Sequence, residues 1–358
     1  MRVGHNDHEV TTMYPETVRL LNCPACESAK LSYGAFAESD TEELIHGVVW
    51  CIDCRTWYPV EDGLLELLTG TLVYKDERER FVKRYGSDLR TFGLDTNLSS
   101  VDIHDMTLEL QQQSHSDWYA HNERQSYSDY ANTPFWLAVD RLAFEPWRDE
   151  IQEDGWLLDV GCAQGRSTFK LIDLDINILG VDISKHLVRQ AVHRYRHSDH
   201  MARASFVVAD ANRLPLNNDT MDYILIYGVL HHLPDPQRTC KEIGRILRPG
   251  GIYFGSENNT TAFRKAFDIL QSTCPMWSEE AGPQPLISKE YLSGGFEGTQ
   301  IELRTYTSVY LPPQLINLVS QNTAYRLLRF FDRLGRAIPF LKSNGGLLLI
   351  HGKNPEVT

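Results

Sequence analysis

The segment 156–184 carries two acids and two glycines whose spacing suits the binding of a nucleoside. A short apolar run ends in Asp159, the next residues hold Gly161 and Gly165, and a second apolar run ends in Asp182. Glycine lets the main chain approach a ligand closely, and such a turn leaves amide groups free to bind it. An acid about 20 residues beyond the turn, at the tip of the next strand, can accept hydrogen bonds from both ribose hydroxyls. These positions predict a nucleoside site, with an ordinary tight turn between strand and helix as the alternative.

A pair of histidines follows the fourth apolar run of this region. His231 and His232 come just after the run 222–227, at the edge of the predicted sheet where ligands bind in such folds. A neutral imidazole there can remove a proton from a phenol or hydroxyl near neutral pH. We predict that His231 is a catalytic base, and the alternative is a role in packing or in shaping the loop.

Four cysteines near the N-terminus have the spacing of metal ligands. Cys23 and Cys26 form one Cys-x-x-Cys pair, and Cys51 and Cys54 form a second. Two such pairs can complete a closed tetrahedral site of four thiolates, which is typical of structural zinc. A module of about 50 residues has too small a core to fold alone, and zinc would stabilise it. The alternative is four unrelated buried cysteines.

The order of the motifs along residues 156–257 resembles that of class I S-adenosylmethionine-dependent methyltransferases. The glycine pattern is Asp-x-Gly-x-x-x-Gly, and the strings LHHLPDP and ILRPGG are typical of the broad group that includes the ubiquinone and menaquinone enzymes. The resemblance implies S-adenosylmethionine as the cofactor and a doubly wound, seven-stranded, Rossmann-like α/β sheet. It does not specify the methyl acceptor.

The resemblance also implies which residues hold the cofactor. They are Asp159, Gly161, Cys162, Ala163, Gly165, Asp182, Ile183, Asp210, Ala211 and Tyr227. In the family, an acid at the place of Asp210 holds the adenine amino group, and the next backbone amide meets the ring. Ala163 stands where the commonest form of the motif has glycine, and we expect its backbone to keep a negative φ. We expect Cys162 to contribute its backbone and not its thiol.

The second cysteine pair is followed by the run RTWYPVEDGLLELL, residues 55–68. This run resembles that of small zinc-ribbon proteins that act as activating partners of methyltransferases, here fused to the enzyme. Another comparison is with rRNA guanine methyltransferases that carry an N-terminal zinc finger. Those proteins usually complete their metal site with a histidine, which the four-cysteine pattern lacks.

Composition and charge narrow the class of protein. The chain has 358 residues, 42% of them hydrophobic and 23% charged, as in soluble globular proteins. A net charge of −13 argues against a main role in binding a nucleic-acid backbone, because such binding needs clustered Lys and Arg. No run of about 20 apolar residues is present, and the N-terminus does not resemble a signal peptide. We expect a cytoplasmic protein whose cysteines stay reduced.

At least two folded units are needed to position the predicted metal ligands and the predicted cofactor residues. We predict a flexible tail over residues 1–18, a zinc ribbon over 19–70 and a helical linker or cap over 71–152. The methyltransferase domain would span 153–358, with insertions at 258–295 and 312–344. Helical periodicity is expected over 74–85, over 134–147 and, just after the glycine turn, over 166–174.

Aromatic residues in the predicted cap offer cover for the cofactor. We consider that Tyr127 or Tyr130 closes over the methionine end of the cofactor or over the acceptor. The alternative is that these rings pack between the domains.

A late segment combines arginines with large apolar residues. Arg326, Arg329, Arg333 and Arg336 fall on one stripe of a predicted helix, with Leu and Phe on its other faces. Such a helix can contact a membrane surface weakly through 325–342, or bind an acidic ligand. It can equally pack on the domain with a solvated arginine face.

The sequence as a whole predicts methyl transfer from S-adenosylmethionine to the oxygen, nitrogen or carbon of a small-molecule acceptor. One alternative is an RNA or protein methyltransferase that uses the zinc ribbon to recognise its substrate. Another is a scaffold that binds the cofactor without catalysis. The sequence is compatible with a homo-oligomer and does not specify the oligomeric state.

Overall fold

A computed structural model describes residues 13–36, 44–97, 107–122, 131–275 and 286–356. Eleven strands lie in these ranges. They are β1 (Leu31–Ala35), β2 (Gly47–Cys51), β3 (Trp57–Glu61), β4 (Leu64–Glu66), β5 (Trp156–Val160), β6 (Asn177–Asp182), β7 (Arg203–Val208), β8 (Met221–Tyr227), β9 (Leu247–Asn258), β10 (Glu302–Ser308) and β11 (Leu347–Lys353).

Ten α-helices are described in the same ranges. They are α1 (Pro15–Leu20), α2 (Lys75–Thr91), α3 (Thr107–Asn122), α4 (Pro134–Arg148), α5 (Lys185–Arg196), α6 (Pro236–Ile246), α7 (Ala262–Thr273), α8 (Lys289–Gly295), α9 (Pro313–Ile316) and α10 (Gln321–Ala337). Short 3₁₀ turns occupy Gly70–Leu72, Thr168–Lys170, Ala211–Arg213 and Leu230–His232.

The centre of the molecule is a parallel sheet. Strands β7, β6, β5, β8 and β9 pair in parallel in that order, and almost every residue of β5 to β8 is buried. Continuous apolar runs of this kind are expected when helices cover both faces of a sheet. Strands β11 and β10 extend the sheet beyond β9 by antiparallel pairing. The predicted α/β Rossmann-like arrangement is confirmed.

The strand count differs from the prediction because the ribbon joins the same sheet. Strand β4 pairs in parallel with β7, with Leu65 opposite Val207 and Glu66 opposite Val208. The four ribbon strands therefore extend one edge, and the structure has one sheet of eleven described strands in place of a separate seven-stranded sheet. An unpaired β7 would expose a row of backbone donors and acceptors, which β4 satisfies.

The helix predicted over 166–174 is wrong. The segment forms turns and a single 3₁₀ turn over Thr168–Lys170. The hydroxyls of Ser167 and Thr168 both donate to the carboxylate of Asp159, at 2.6–2.9 Å. Hydroxyl side chains that bond elsewhere compete with helix formation, which explains the local departure.

The helix predicted over 74–85 is longer than expected. Helix α2 continues to Thr91 through a kink at Tyr85, where φ is −117° and ψ is 15°. Its buried residues include Phe81 and Leu89, which pack against the ribbon residues Val48 and Trp57. The last turns of α2, which the sequence pattern did not predict, are therefore stabilised by packing against the ribbon.

Two features near the ends of the chain complete the packing. Met13 and Val18 belong to the main core, although the sequence assigns them to a tail. The insertion between β10 and β11 forms α9 and α10, which pack against α4.

Tyr127 and Tyr130, proposed as covers of the cofactor, lie outside the described residues. Within the described ranges, no helix is both long enough and apolar enough to cross a membrane.

Candidate active site

A cavity of about 680 Å³ opens at the carboxyl ends of the parallel strands. Seven of the ten residues predicted to hold the cofactor line it. They are Gly161, Cys162, Ala163, Asp182, Ile183, Ala211 and Tyr227. The predicted base His231 lies on the same wall. The topology therefore brings the cofactor residues and the candidate base into one cavity.

Three of the ten predicted residues do not line the cavity in the described structure. They are Asp159, Gly165 and Asp210, and they lie in or next to the turns that border it. Asp159 is almost fully buried and accepts the hydroxyl bonds that hold the turn after Gly165. Burial raises the pKa of Asp159 to about 6. Asp210 caps the 3₁₀ turn that presents Ala211, with its carboxylate accepting the Asn212 amide at 2.9 Å. These residues position the turns around the cavity.

Asp182 is aimed at the cavity by two backbone amides. Its carboxylate accepts the N–H of Ala163 at 3.0 Å and the N–H of Ser184 at 2.9 Å, one on each oxygen. Each oxygen keeps a second lone pair that can accept a ligand hydroxyl. Burial raises the pKa of Asp182 to about 6, and the two amides oppose that shift. The group is thus a carboxylate at neutral pH, with acceptor capacity on the ligand side.

Ala163 departs from the expectation for its backbone. Its φ is +46°, in the left-handed region that favours glycine, and not the negative value expected. The conformation directs its amide to Asp182. A left-handed conformation costs an L-residue on the order of 1–2 kcal/mol. The turn therefore holds local strain at the point where it meets the predicted ribose site.

The thiol of Cys162 is buried, and the expected role of its backbone in holding the cofactor stays a prediction. Its side chain is 1% exposed, its amide donates to the carbonyl of Val181 at 3.1 Å, and burial raises the pKa of its thiol well above the ordinary value. Gly180 sits close beneath, since a Cβ built there would lie 3.1 Å from the thiol sulfur. The thiol is a packing group in the floor of the site.

His231 belongs to a buried pair with Glu257. The Nδ1 atom of His231 lies 2.6 Å from a carboxylate oxygen of Glu257. The other carboxylate oxygen accepts the amides of Val229 and Leu230, at 3.0 and 2.8 Å. An imidazole whose Nδ1–H donates to a carboxylate keeps the lone pair on Nε2, so Nε2 can accept a proton. The pair with Glu257 fixes the orientation of the imidazole on the cavity wall.

Sequence reasoning assigned no role to Glu257. It lies near the end of β9, which pairs in parallel with β8, and His231 follows β8. Acids and histidines that follow neighbouring parallel strands meet at one edge of the sheet. The acid after the fifth apolar run was therefore a signal that could have identified this partner.

Helix α3 covers part of the cavity with Leu108, Gln111 and His115. Asp117 of the same helix accepts hydrogen bonds from the hydroxyls of Tyr74 and Ser184. Ser184 is also the residue whose amide meets Asp182. The cover helix is thus fastened to the loop that carries the predicted ribose acceptor.

The other side of the cavity is largely apolar and aromatic. Helix α4 contributes Phe135 and Trp136, helix α7 contributes Phe267, and Val309 and Leu347 complete this wall. Polar residues also line this side, namely Asn258, Arg264, Asp268 and Gln271. Arg264 pairs with Asp268 at 2.8 Å and donates to Asn258 at 2.7 Å. A region of this kind suits a molecule with apolar surface and some polar substituents.

The four cysteines predicted as metal ligands converge on one point. Their sulfur atoms all lie within 4.8 Å of one another, and the shortest separations are 3.5 Å (Cys26 to Cys51) and 3.6 Å (Cys23 to Cys54). Tetrahedral zinc with bonds near 2.3 Å would place its sulfurs about 3.8 Å apart. The cluster has the donor set and size for such an ion.

Comparison with known proteins agrees with this geometry over the central segment. Residues 158–255 match the protein family described as "Methyltransferase domain". The matched segment contains Asp159, Asp182 and His231.

Curated relatives match a similar part of the chain. The 27-O-demethylrifamycin SV methyltransferase of Amycolatopsis mediterranei (strain S699) is 34% identical over 96 residues, which cover 26% of this chain and 35% of that protein. An O-methyltransferase of Pyrenophora dematioidea is 32% identical over 116 residues, covering 32% of this chain and 43% of that protein. The chain thus spans less than half the length of these curated relatives.

Two solved structures are similar to this chain over part of its length. One is the complex between the Haloferax volcanii Trm112 methyltransferase activator and a methyltransferase, with 19% identity, a TM-score of 0.46, and coverage of 67% of this chain and 98% of that one. The other is the [4+2]-cyclase SpnF, with 19% identity, a TM-score of 0.48, and coverage of 69% and 97%.

Proposed function

We propose that the protein transfers a methyl group from S-adenosylmethionine to a hydroxyl of a small-molecule acceptor. The observation that carries the proposal is the Asp182 carboxylate, which two backbone amides aim into a cavity lined by the glycine turn. This carboxylate is suited to accept the ribose hydroxyls of the cofactor. The match of residues 158–255 to the methyltransferase domain family supports the same function.

The cofactor residues divide into those that touch the cavity and those behind it. Asp182 would hold the ribose, the Gly161 turn would approach the methionine part, and Ala211 would lie beside the adenine. Asp159 and Asp210 would fix the turns that present these contacts. When bound, S-adenosylmethionine supplies a methyl group that its sulfonium already activates.

His231 would act as the base for the acceptor. Its Nε2 would take the hydroxyl proton as the acceptor oxygen forms its bond to the methyl carbon and the carbon–sulfur bond breaks. Glu257 would hold the imidazole in this tautomer and stabilise its positive charge. The aromatic wall formed by Phe135 and Trp136 would align the acceptor and exclude water.

The cysteine cluster would hold a structural zinc ion. All four ligands are protein thiolates, so a tetrahedral ion would have no open position for a substrate. The zinc would fix the ribbon whose strand β4 pairs with β7 of the central sheet.

The proposed chemistry is tested by replacing the histidine and its partner. S-adenosylhomocysteine release should be followed with a panel of phenols and hydroxylated small molecules. We expect His231→Gln to lower turnover by about 100-fold and Glu257→Gln by about tenfold, with little change in cofactor affinity. The surface variant His197→Gln is the matched control.

The outcomes separate the alternatives. Full turnover by His231→Gln would remove the base assignment. Tight cofactor binding with no turnover across the panel would favour the non-catalytic scaffold. For Glu257→Gln, a changed pH profile of turnover with unchanged cofactor affinity would identify a positioning role, which simple loss of folding would not mimic.

A further inference from the structure

A shallow groove between α4 and α10 gathers four arginines on the surface. Arg141 comes from α4, and Arg326, Arg329 and Arg333 come from α10. Helical spacing of three and four residues places the last three on one ridge. We call this feature the arginine groove. It differs from the predicted stripe, because Arg336 turns away to pair with Asp332 and lie over Tyr306.

The arginine groove carries more positive charge than its surroundings neutralise. Arg141 pairs with Glu145 at 2.5 Å and lies 4.0 Å from the ring centre of Tyr325. The Tyr325 hydroxyl also donates to Glu145, so one carboxylate serves this whole cluster. Arg326 and Arg333 have no acidic partner in the part of the chain that the structure describes. Guanidinium groups stay charged at physiological pH, so the groove offers exposed positive charge to an anionic partner.

Large apolar side chains are exposed beside these arginines. Phe330 lies in the groove and is 60% exposed, and Leu334, one turn further, is 40% exposed. Phe340, just beyond the helix, is 75% exposed. Arginines that border exposed aromatic and aliphatic residues are typical of helices that lie in a membrane interface.

We propose that the arginine groove and Phe330, Leu334 and Phe340 form a docking surface for an anionic phospholipid membrane. The guanidinium groups would meet lipid phosphates, and the apolar side chains would enter the headgroup region. The charge is complementary locally, although the chain as a whole carries −13. A nucleic-acid backbone fits less well, because it offers no apolar environment to the exposed side chains of Phe330, Leu334 and Phe340.

The opposite face of α10 links this surface to the cavity. Ala324 and Leu328 pack in one cluster with Phe135, Val309 and Leu347. The last three of these residues line the large cavity. In the docked protein, helix α10 alone would separate the apolar wall of the cavity from the membrane surface.

Flotation of the full-length protein with vesicles tests the proposal. We expect binding to vesicles of 40% phosphatidylglycerol in phosphatidylcholine and no binding to phosphatidylcholine alone. Arg326→Gln with Arg333→Gln should lower the partition coefficient by about 30-fold. Phe330→Ser should lower it by about tenfold while keeping every charge.

The control variant is Lys83→Gln with Arg90→Gln, which removes the same charge from exposed positions of α2. It should bind vesicles like the wild type, and unchanged S-adenosylhomocysteine affinity should show that all variants fold. Absence of wild-type flotation, or equal loss in the control, would overturn the proposal. Millimolar inorganic phosphate that abolishes flotation at constant ionic strength would point to a soluble phosphate ligand instead. RNA that binds through the same arginines without vesicle binding would likewise overturn it.

Discussion

The ribbon and the parallel sheet each place a carboxylate beside the same residue of β7, but the two carboxylates have different partners. Val208 of β7 pairs with Glu66 of the ribbon strand β4 on one side and with Asp182 of β6 on the other. Both acids thus lie at the carboxyl ends of parallel strands, on either side of one residue. Only Asp182 lines the cavity.

Glu66, the acid on the ribbon side, pairs with two cations. Glu66 is 1% exposed and bonds Arg78 and Lys185, each at 2.7 Å. Lys185 also pairs with Glu77 at 2.7 Å. Burial alone would raise the pKa of Glu66, but the charges of Arg78 and Lys185 outweigh it and lower that pKa. Two cations neutralise this carboxylate, and through them it holds the ribbon to α5.

Asp182 has amides where Glu66 has cations. Because dipoles compensate burial less fully than charges, its pKa is raised to about 6. The comparison teaches that a strand-end acid is available to a ligand when its partners leave its charge under-neutralised and it faces a cavity. Strand position alone does not decide the role.

The largest expected effect comes from the ribbon's metal. Cys51→Ser should lower the free energy of unfolding on the order of 5 kcal/mol, because the proposed zinc ion would hold the ribbon whose strand β4 pairs with β7. Chemical denaturation measures this loss, and metal analysis should show the loss of one zinc ion. Cys274→Ser, at an exposed cysteine outside the cluster, should change neither value. Equal stability of the two variants would contradict a structural metal.

The next effect separates the two carboxylates. Glu66→Gln should cost about 3–5 kcal/mol of stability, because it leaves Arg78 and Lys185 buried without their shared partner. Denaturant unfolding gives the value. Glu79→Gln, at an exposed position of α2, should stay within about 0.5 kcal/mol of the wild type. A loss below about 1 kcal/mol for Glu66→Gln would show that the network does not secure the ribbon.

A smaller effect concerns pH. The charged form of Asp182 accepts the ribose hydroxyls, so cofactor affinity should be constant above pH 7 and fall as pH drops through about 6. The slope should approach tenfold per pH unit below that value. The charge of Asp117 raises the pKa of Asp182 further, and Asp159, whose pKa burial raises to about 6, titrates in the same pH range. Calorimetric titration with S-adenosylhomocysteine from pH 5 to pH 8 measures the slope, and affinity that rises on acidification would contradict the assignment.

The smallest effect relieves strain in the turn. Ala163→Gly should raise the free energy of unfolding by about 0.5–1 kcal/mol, because glycine adopts a φ of +46° without steric cost. Ala143→Gly, within α4, should instead lower it by about 1 kcal/mol. Denaturant titrations of both variants provide the check, and destabilisation by Ala163→Gly would mean that the methyl group is needed there.

The sequence was informative where the signal is local. Apolar runs that end in acids predicted the strands carrying Asp159 and Asp182, and cysteine spacing predicted which four sulfurs converge. It failed where distant contacts decide. The segment after Gly165 lost its helix to hydroxyl bonds with Asp159, and β4 joined β7 through an edge that no local pattern reveals. The pairing of His231 with Glu257 depends on neighbouring parallel strands, which only the sheet order brings together.

Calorimetry on the folded, zinc-loaded protein tests the central claim most directly. S-adenosylhomocysteine should bind with a stoichiometry of one, and Asp182→Asn should weaken that binding by about 30-fold or more without lowering the stability of the free protein. Absence of binding by the folded wild type, or equal affinity of the two proteins, would contradict the account.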